Sequence, residues 1–298
     1  MESFRELGKR LSNWNRWGGE DERGTLNLVT PERLVAASKS VRSGAIFDLG
    51  IAIDSAGPTG FRPAPIHLMT QTGLDMGNGL AMADDFIVMH LQCATQWDAL
   101  CHWSYDGQMY NGFPLSDLSV AGAAHLGIQN MAKGIVGRGV LLDVAGRAGQ
   151  PWLDVDYAIT PDDLEACEER QGVRLGAGDI LCFRTGWRKK YLESAAGWMD
   201  AEPGLSLECS EWLHDREIAA VCSDNWGVEV MPSRDPAAMA PMHCVLLRDL
   251  GMPIGEIFDF EELTAACEAD GAWDFWFSAP PLKVTGGVGS PLNPVVIK

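Results

Sequence analysis

The sequence predicts a mixed α/β fold, and three observations carry that expectation. Apolar runs of strand length recur at 139–145, 179–185 and 218–223. A capped helix start, Thr160-Pro161-Asp162-Asp163, falls between the first two. Strand and helix signals alternate through this half, the pattern of packed sheet and helix layers rather than of a bundle or a sandwich.

Taken in order, residues 1–30 are rich in tryptophan, glycine and charge and read as an N-terminal arm. Thr30-Pro31 supplies an N-cap followed by proline at the first helical position, predicting a helix over Leu34 to Val41. Gly44 to Asp54 alternates like a strand, and the Gly/Pro-rich stretch Ala56 to Pro65 reads as a long loop bordering a site. Asp85 to Leu91 is a β-branched strand candidate leading to Gln92, and a helix beginning near Trp97 or Asp98 would put the next motif at a strand-to-helix junction. Neither internal repeat nor low-complexity tract interrupts the 298 residues, so one domain over 1–298 is expected.

Composition narrows the function. A formal charge of −18 with no basic run argues against nucleic acid or an anionic membrane as partner. Eight scattered cysteines with no C-x-x-C pair fit a reducing cytoplasm. The opening ten residues lack an apolar core, and no window approaches a bilayer-spanning length, so neither secretion nor membrane anchoring is expected. The chain has no G-x-S-x-G elbow, P-loop or dinucleotide fingerprint, which argues against a serine hydrolase of that class, an NTPase and any nucleotide cofactor.

The chemistry centres on Gln92-Cys-Ala-Thr-Gln96-Trp-Asp98-Ala-Leu-Cys-His102. Asp98 and His102 are four residues apart, on one face if the segment is helical, and a carboxylate orienting an imidazole supports general acid/base catalysis. His90, two residues before Gln92, shares its face on a strand and reads as a pocket residue or a replacement ligand. The segment Asp224-Asn225-Trp226-Gly227-Val228-Glu229 follows a strand end, where α/β proteins gather ligand contacts, or else forms a self-capped turn. Arg184 offers a guanidinium fork to a substrate carboxylate, or pairs with a buried acid. Trp97 and Trp103 beside the motif suit an aromatic substrate, while Cys93 and Cys101 read as structural thiols.

Thr95 to His102, with Tyr105-Asp-Gly107 and Tyr110-Asn-Gly112, resembles the signature of the cyclase family, which includes kynurenine formamidases, isatin hydrolases and trans-dienelactone hydrolases. Asp21 to Arg33, Gly137 to Asp143, Gly178 to Trp187 and Ala279 to Pro291 resemble its longer members in the same order, so the likeness spans nearly the whole chain. The resemblance implies a swivelling β/β/α fold and assembly as a homodimer or homotetramer. It also implies hydrolysis of an amide, imide or lactone of a small aromatic compound, with His102 as acid/base beside Asp98. The family pattern H-x-x-T-H-x-D-x-x-x-H places metal ligands at Gln92, Gln96 and Asp98, with His243 and Glu256 joining from later in the chain; both histidine ligands are glutamine here. Amide oxygens bind zinc poorly and suit harder ions, so the expected cofactor is a divalent metal, Mn, Mg or Zn, or none. Without a metal, the Asp98/His102 pair would activate water directly; a lyase or isomerase using His102, or a non-catalytic ligand-binding relative, are the alternatives.

Overall fold

A computed structural model describes residues 2–54, 62–235 and 237–298. The expected loop over Ala56 to Pro65 lies mostly outside the described residues. The fold is built on one nine-stranded mixed sheet, in the order Ile46–Asp48, Val295–Ile297, Asp274–Ser278, Val136–Asp143, Ile180–Arg184, Ala220–Ser223, Ile254–Glu256, Gln96–Asp98, Gly289–Pro291. The four central strands, from Val136–Asp143 to Ile254–Glu256, run parallel, and the outer pairs are antiparallel.

The three runs read as strands form the centre of this sheet and are buried along almost their whole length, as strands covered on both faces must be. Helices join them: Pro161–Gln171 lies between the first two, Cys209–Asp215 between the next, and a helical stretch over 241–250 leads to Ile254–Glu256. Thr160 caps Pro161–Gln171 through a reciprocal box with Asp163, and Gly172 ends it in the left-handed region. Thr30 caps Pro31–Ala37 as expected, and a 3₁₀ turn over Ser38–Ser40 completes the predicted span. Of the strand expected over 44–54, only Ile46–Asp48 pairs.

The N-terminal arm holds a helix that the sequence reading did not anticipate. Phe4–Leu11, boxed by Ser3 and Glu6, buries Phe4, Leu7 and Leu11. Phe4 packs edge-on against Tyr105, whose hydroxyl donates to Asp249, and Trp14 Nε1 donates to the Arg248 carbonyl at 2.7 Å. The arm therefore braces the 241–250 segment, whose second part, Cys244–Leu250, is wound as a π-helix.

Two expectations need correction. The strand read at Asp85 to Leu91 is one leg of a hairpin, Ile66–Gly77 with Leu80–Val88, closed by Asn78-Gly79 with both residues at positive φ, the type I′ requirement. Its legs are exposed rather than buried, because an apolar run has the same pattern whether or not the chain itself covers it. No helix starts at Trp97; Gln96–Asp98 is a strand and a turn follows, with His102 N donating to the Ala99 carbonyl. Hydrogen bonding to strands on both sides overrides the helical spacing.

Packing around that strand leaves no spare room. An ideal Cβ at Gly255 would lie 2.5 Å from Trp97 Cζ3 and 2.6 Å from Cys222 Cβ, both core atoms. Gly255→Ala should therefore lower stability by about 1–3 kcal/mol in urea unfolding. An unchanged midpoint would show that the neighbouring strands yield at no cost.

Candidate active site

Strand geometry sorts the motif. Successive side chains of Gln96–Asp98 point to opposite faces, so Gln96 and Asp98 share one face and Trp97 takes the other. Trp97 is fully buried against Phe258 and Phe277, and its Nε1 donates to the Ala279 carbonyl. This corrects the reading of Trp97 as a substrate contact: it is a core residue.

The register then recruits the partners. Glu256 lies directly opposite Gln96, and Gln96 Nε2 donates to Glu256 Oε2 at 2.6 Å. Asp98 lies opposite Gly289, and a Cβ at Gly289 would collide with the Gln92 side-chain amide. Glycine there is what lets Gln92 sit buried beside the strand. The turn before the strand is pinned by Thr95, whose hydroxyl accepts from Ile51 N and donates to the Ile257 carbonyl.

His243 comes from the helical segment on the other side. Its Nδ1 donates to Glu229 Oε1 at 2.7 Å, and Glu229 also accepts from the backbone N–H groups of His243 and Met242. Nε2 is thereby aimed at Glu256 Oε1, 3.2 Å away, and stands 4.0 Å from Asp98 Oδ2. Asp98, His243 and Glu256 each bring a ligand-type atom within 4.8 Å of the others. His102 Nε2 lies 3.8 Å from Asp98 Oδ2, a charge contact too long for the hydrogen bond expected from sequence. The His102 side chain is 19% exposed, which leaves it the open end of the cluster. Trp103 packs its ring 5.3 Å from that of His243.

Several buried polar atoms here have no protein partner: Asp98 Oδ1, Gln96 Oε1 and Gln92 Nε2. Buried acceptors left this way cost about 1–3 kcal/mol each, more when charged. Two orphaned oxygens beside two carboxylates and an oriented imidazole are what a divalent cation would satisfy, and a carboxylate such as Glu229 behind a ligand histidine is the usual support of a metal site. The donor set therefore fits a divalent ion on Asp98, His243 and Glu256, with the Gln96 amide oxygen beside them.

Electrostatics agree with the geometry. Burial, only partly offset by His102 and His243, raises Asp98 to about 6. Burial lowers His102 below its ordinary range, which keeps the imidazole neutral at pH 7. Burial also acts to lower His243, but hydrogen bonds to Glu229 and Glu256 prevail and raise it to about 10. Glu202, fully buried, accepts from Trp226 N at 2.7 Å while its Oε1 has no partner, and burial lifts it well above the carboxylate range.

Other residues singled out in the sequence are engaged elsewhere. Arg184 places its donors on Asp143, on both Glu261 oxygens and on the Pro151 carbonyl, which leaves no fork for a substrate carboxylate. Asp224 accepts from Thr185 N, Thr185 Oγ1 and Gly186 N, and so shapes the turn after Ile180–Arg184. Asn225 bridges the Pro203 carbonyl and Val228 N. For these three the structural alternative holds. Trp226 is half-buried over Ile51, Ala94 and Ile257, with Nε1 on the Trp198 carbonyl. His90 is exposed at the foot of the hairpin, two residues past the strand's end at Val88, so the strand that was to set its direction does not reach it. Cys93 and Cys101 are buried thiols, Cys101 pushed up to about 12 by burial. Glu229 ends the strand-end segment singled out in the sequence, whereas Glu202 and Arg62, whose Nη1 donates to the Gln92 carbonyl at 3.0 Å, were missed. No spacing links them to the motif, and only the three-dimensional fold brings them near.

The family model for Cyclase, described as “Putative cyclase”, matches residues 40–230. A crystal structure of a novel cyclase is 40% identical, with a TM-score of 0.90 over 96% of this chain and 99% of that one. The isatin hydrolase of Roseibium aggregatum is 24% identical over 238 residues, 78% of this chain and 80% of its own. Isatin hydrolase A from Labrenzia aggregata, bound to benzyl benzoate, shares the fold at a TM-score of 0.64 and 23% identity, over 89% of this chain and 97% of that one. Among the described residues no helix is long and apolar enough to cross a membrane.

The raised pKa of Asp98 has a measurable cost. It titrates near 3.8 when unfolded and about 6 when folded, so between these values the folded chain keeps a proton that the unfolded chain has lost. Stability therefore falls as pH rises through this window, and above it the full penalty, on the order of 3 kcal/mol, persists. In chelator-treated protein, Asp98→Asn should raise the melting temperature at pH 8, and the gain should shrink towards pH 4. A variant no more stable than the parent at pH 8 would contradict this account.

Proposed function

Because the chain belongs to the cyclase family, we propose that it is a hydrolase that opens the amide, imide or lactone bond of a small aromatic carbonyl compound, using a divalent cation on Asp98, His243 and Glu256 and a proton carried by His102. The observation that carries this reading is the pair of buried oxygens without a partner, Asp98 Oδ1 and Gln96 Oε1, on residues that adjoin His243 and Glu256. When bound there, such an ion supplies the Lewis acidity that makes water a nucleophile near neutral pH and polarises a carbonyl.

The chain's own residues supply the rest. His102, neutral at pH 7, takes a proton from the attacking water as its oxygen bonds to the carbonyl carbon, and returns it to the nitrogen or oxygen that leaves. Asp98 steadies the imidazolium formed between those events from 3.8 Å. Glu229 keeps the Nδ1 proton of His243 in place, so Nε2 stays turned towards the cluster. The Trp103 ring beside His243 gives an aromatic substrate flat apolar surface. The likeness to isatin hydrolases favours a fused aryl lactam among substrates.

Protein purified without chelator should carry close to one divalent ion per chain and turn over at least one of isatin, N-formylkynurenine or a dienelactone. Chelation should abolish that turnover, and Mn, Mg or Zn should restore it. Undiminished turnover by metal-free protein would sink the cation's part. His102→Ala should lower kcat by about 10²–10⁴ with metal content unchanged, and a fully active variant would remove His102 from the mechanism.

A further inference from the structure

A pocket of about 360 Å³ lies where three parts of the chain meet: the helix Pro31–Ala37 with the turn after it, the start of Val136–Asp143, and the turn into Ile180–Arg184. Its charged lining is four cations, Arg33, Lys39, Arg42 and Arg138, against two carboxylates, Asp179 and Asp274. On a chain with 23 basic and 41 acidic residues, that surplus is the reverse of the average surface. The pocket is also remote from the candidate active site. Val136–Asp143 stands four places from Gln96–Asp98 in the sheet, roughly 19 Å at ordinary strand spacing. Two of the four cations are held in place. Asp274 accepts from Arg42 Nη2 at 2.6 Å and from Arg138 Nε at 3.0 Å, and Asp179 accepts from Arg138 Nη1 at 2.6 Å. These bonds engage both carboxylates. Arg33 gives Nη1 to a neutral acceptor, the Leu28 carbonyl, at 2.6 Å, and neither Arg33 nor Lys39 meets a carboxylate among the described residues. Glycine at position 178 lets Arg33 lie where it does: φ there is +82°, and a Cβ would stand 2.8 Å from Arg33 Cδ.

We propose that this pocket binds a phosphate group, free or as the head of a small phosphate monoester, on Arg33 and Lys39, with Arg42 and Arg138 as fixed charges beside them. Charge selects the head group. The lining leaves two positive charges uncompensated, and a phosphate monoester carries about −1.5 to −2 at neutral pH, whereas a single carboxylate balances only one of them. A guanidinium presents several N–H donors in one plane, the arrangement that phosphate oxygens accept best. Size favours the monoester over the free ion. About 360 Å³ lies within the range of small-molecule sites, about 300–1,000 Å³, and a bare phosphate leaves most of it to water. Val29 and Leu34, also in the lining, give an organic body an apolar wall. The net charge of −18 does not prevent this. At about 0.15 M salt, charges beyond roughly 8 Å are largely screened, and the cations of the lining are not.

Isothermal titration of the full chain at about 0.15 M salt should show phenyl phosphate binding with a dissociation constant of about 1 mM or below, and benzoate binding at least about tenfold more weakly. Arg33→Gln combined with Lys39→Gln removes the charge-assisted hydrogen bonds and should weaken phenyl phosphate by at least about tenfold. Lys9→Gln, at an exposed cation on the N-terminal helix, should leave its affinity unchanged. Lys39→Gln alone, at an exposed position, should cost about threefold, and it carries the test should the double variant not fold. Inorganic phosphate separates the two sources. If it binds more weakly than phenyl phosphate the occupant is a monoester, and if it binds equally well, and is lost with the same double variant, the occupant is the free ion. No binding of either phosphate, benzoate as tight as phenyl phosphate, or affinities indifferent to Arg33 and Lys39 would each overturn the proposal.

Discussion

The candidate site depends on three residues of strand being hydrogen-bonded on both sides. Held between Ile254–Glu256 and Gly289–Pro291, Gln96–Asp98 has no freedom of register. A slip of one residue would put Trp97 into the polar cluster and two polar side chains into the core. Pairing sets Glu256 across from Gln96 and Gly289 across from Asp98, and the absence of a side chain at Gly255 and Gly289 lets Trp97 and Gln92 pack where they do. The apolar contacts of Trp97 with Phe258 and Phe277 on one face thus fix the polar groups on the other.

That anchoring supports an arrangement which would not stabilise itself. Asp98, Gln96 and Gln92 keep buried atoms without partners, Asp98 is raised by burial, and Glu202 more so. Such groups persist only where the surroundings over-determine them, and they concentrate at functional sites. The surroundings here are identifiable. Glu229 ties His243 to the backbone of its own helix, and the N-terminal helix braces that segment through Tyr105, Asp249 and Trp14. The opening arm is therefore part of the scaffold of a site whose residues lie far from it in sequence.

What could be read from sequence was what is local. Thr30-Pro31 and Thr160-Pro161 announce helices because a cap acts within one turn, and the strands near 140, 181 and 221 announce themselves because a fully buried strand is apolar throughout. The i,i+4 spacing of Asp98 and His102 was ambiguous: a helix brings such residues together, and so does a strand end followed by a tight turn. His243 and Glu256 came from family resemblance, since nothing within the motif points over 140 residues ahead. Glu229 stood out only as the end of the segment after a strand, because its role behind His243 exists only once that segment meets the helical one. Arg184, Asp224 and Asn225 misled in the opposite sense, polar residues at strand ends whose hydrogen bonds are consumed in shaping the turns around them.

The two glutamines can now be given separate roles. Gln96 commits its amide nitrogen to Glu256 and leaves its own oxygen buried without a partner. Gln92 lies along Gly289 with its amide nitrogen buried and unpartnered, so it has a donor to offer. The three groups that could hold an ion, two carboxylates and one imidazole, are richer in oxygen donors than a histidine-rich zinc site. With imidazoles absent from positions 92 and 96, and His243 held by Glu229 and Glu256, His102 is the one imidazole of the cluster left neutral at pH 7 and open to solvent. On the proposed reading, glutamine at positions 92 and 96 would leave proton transfer to that single residue.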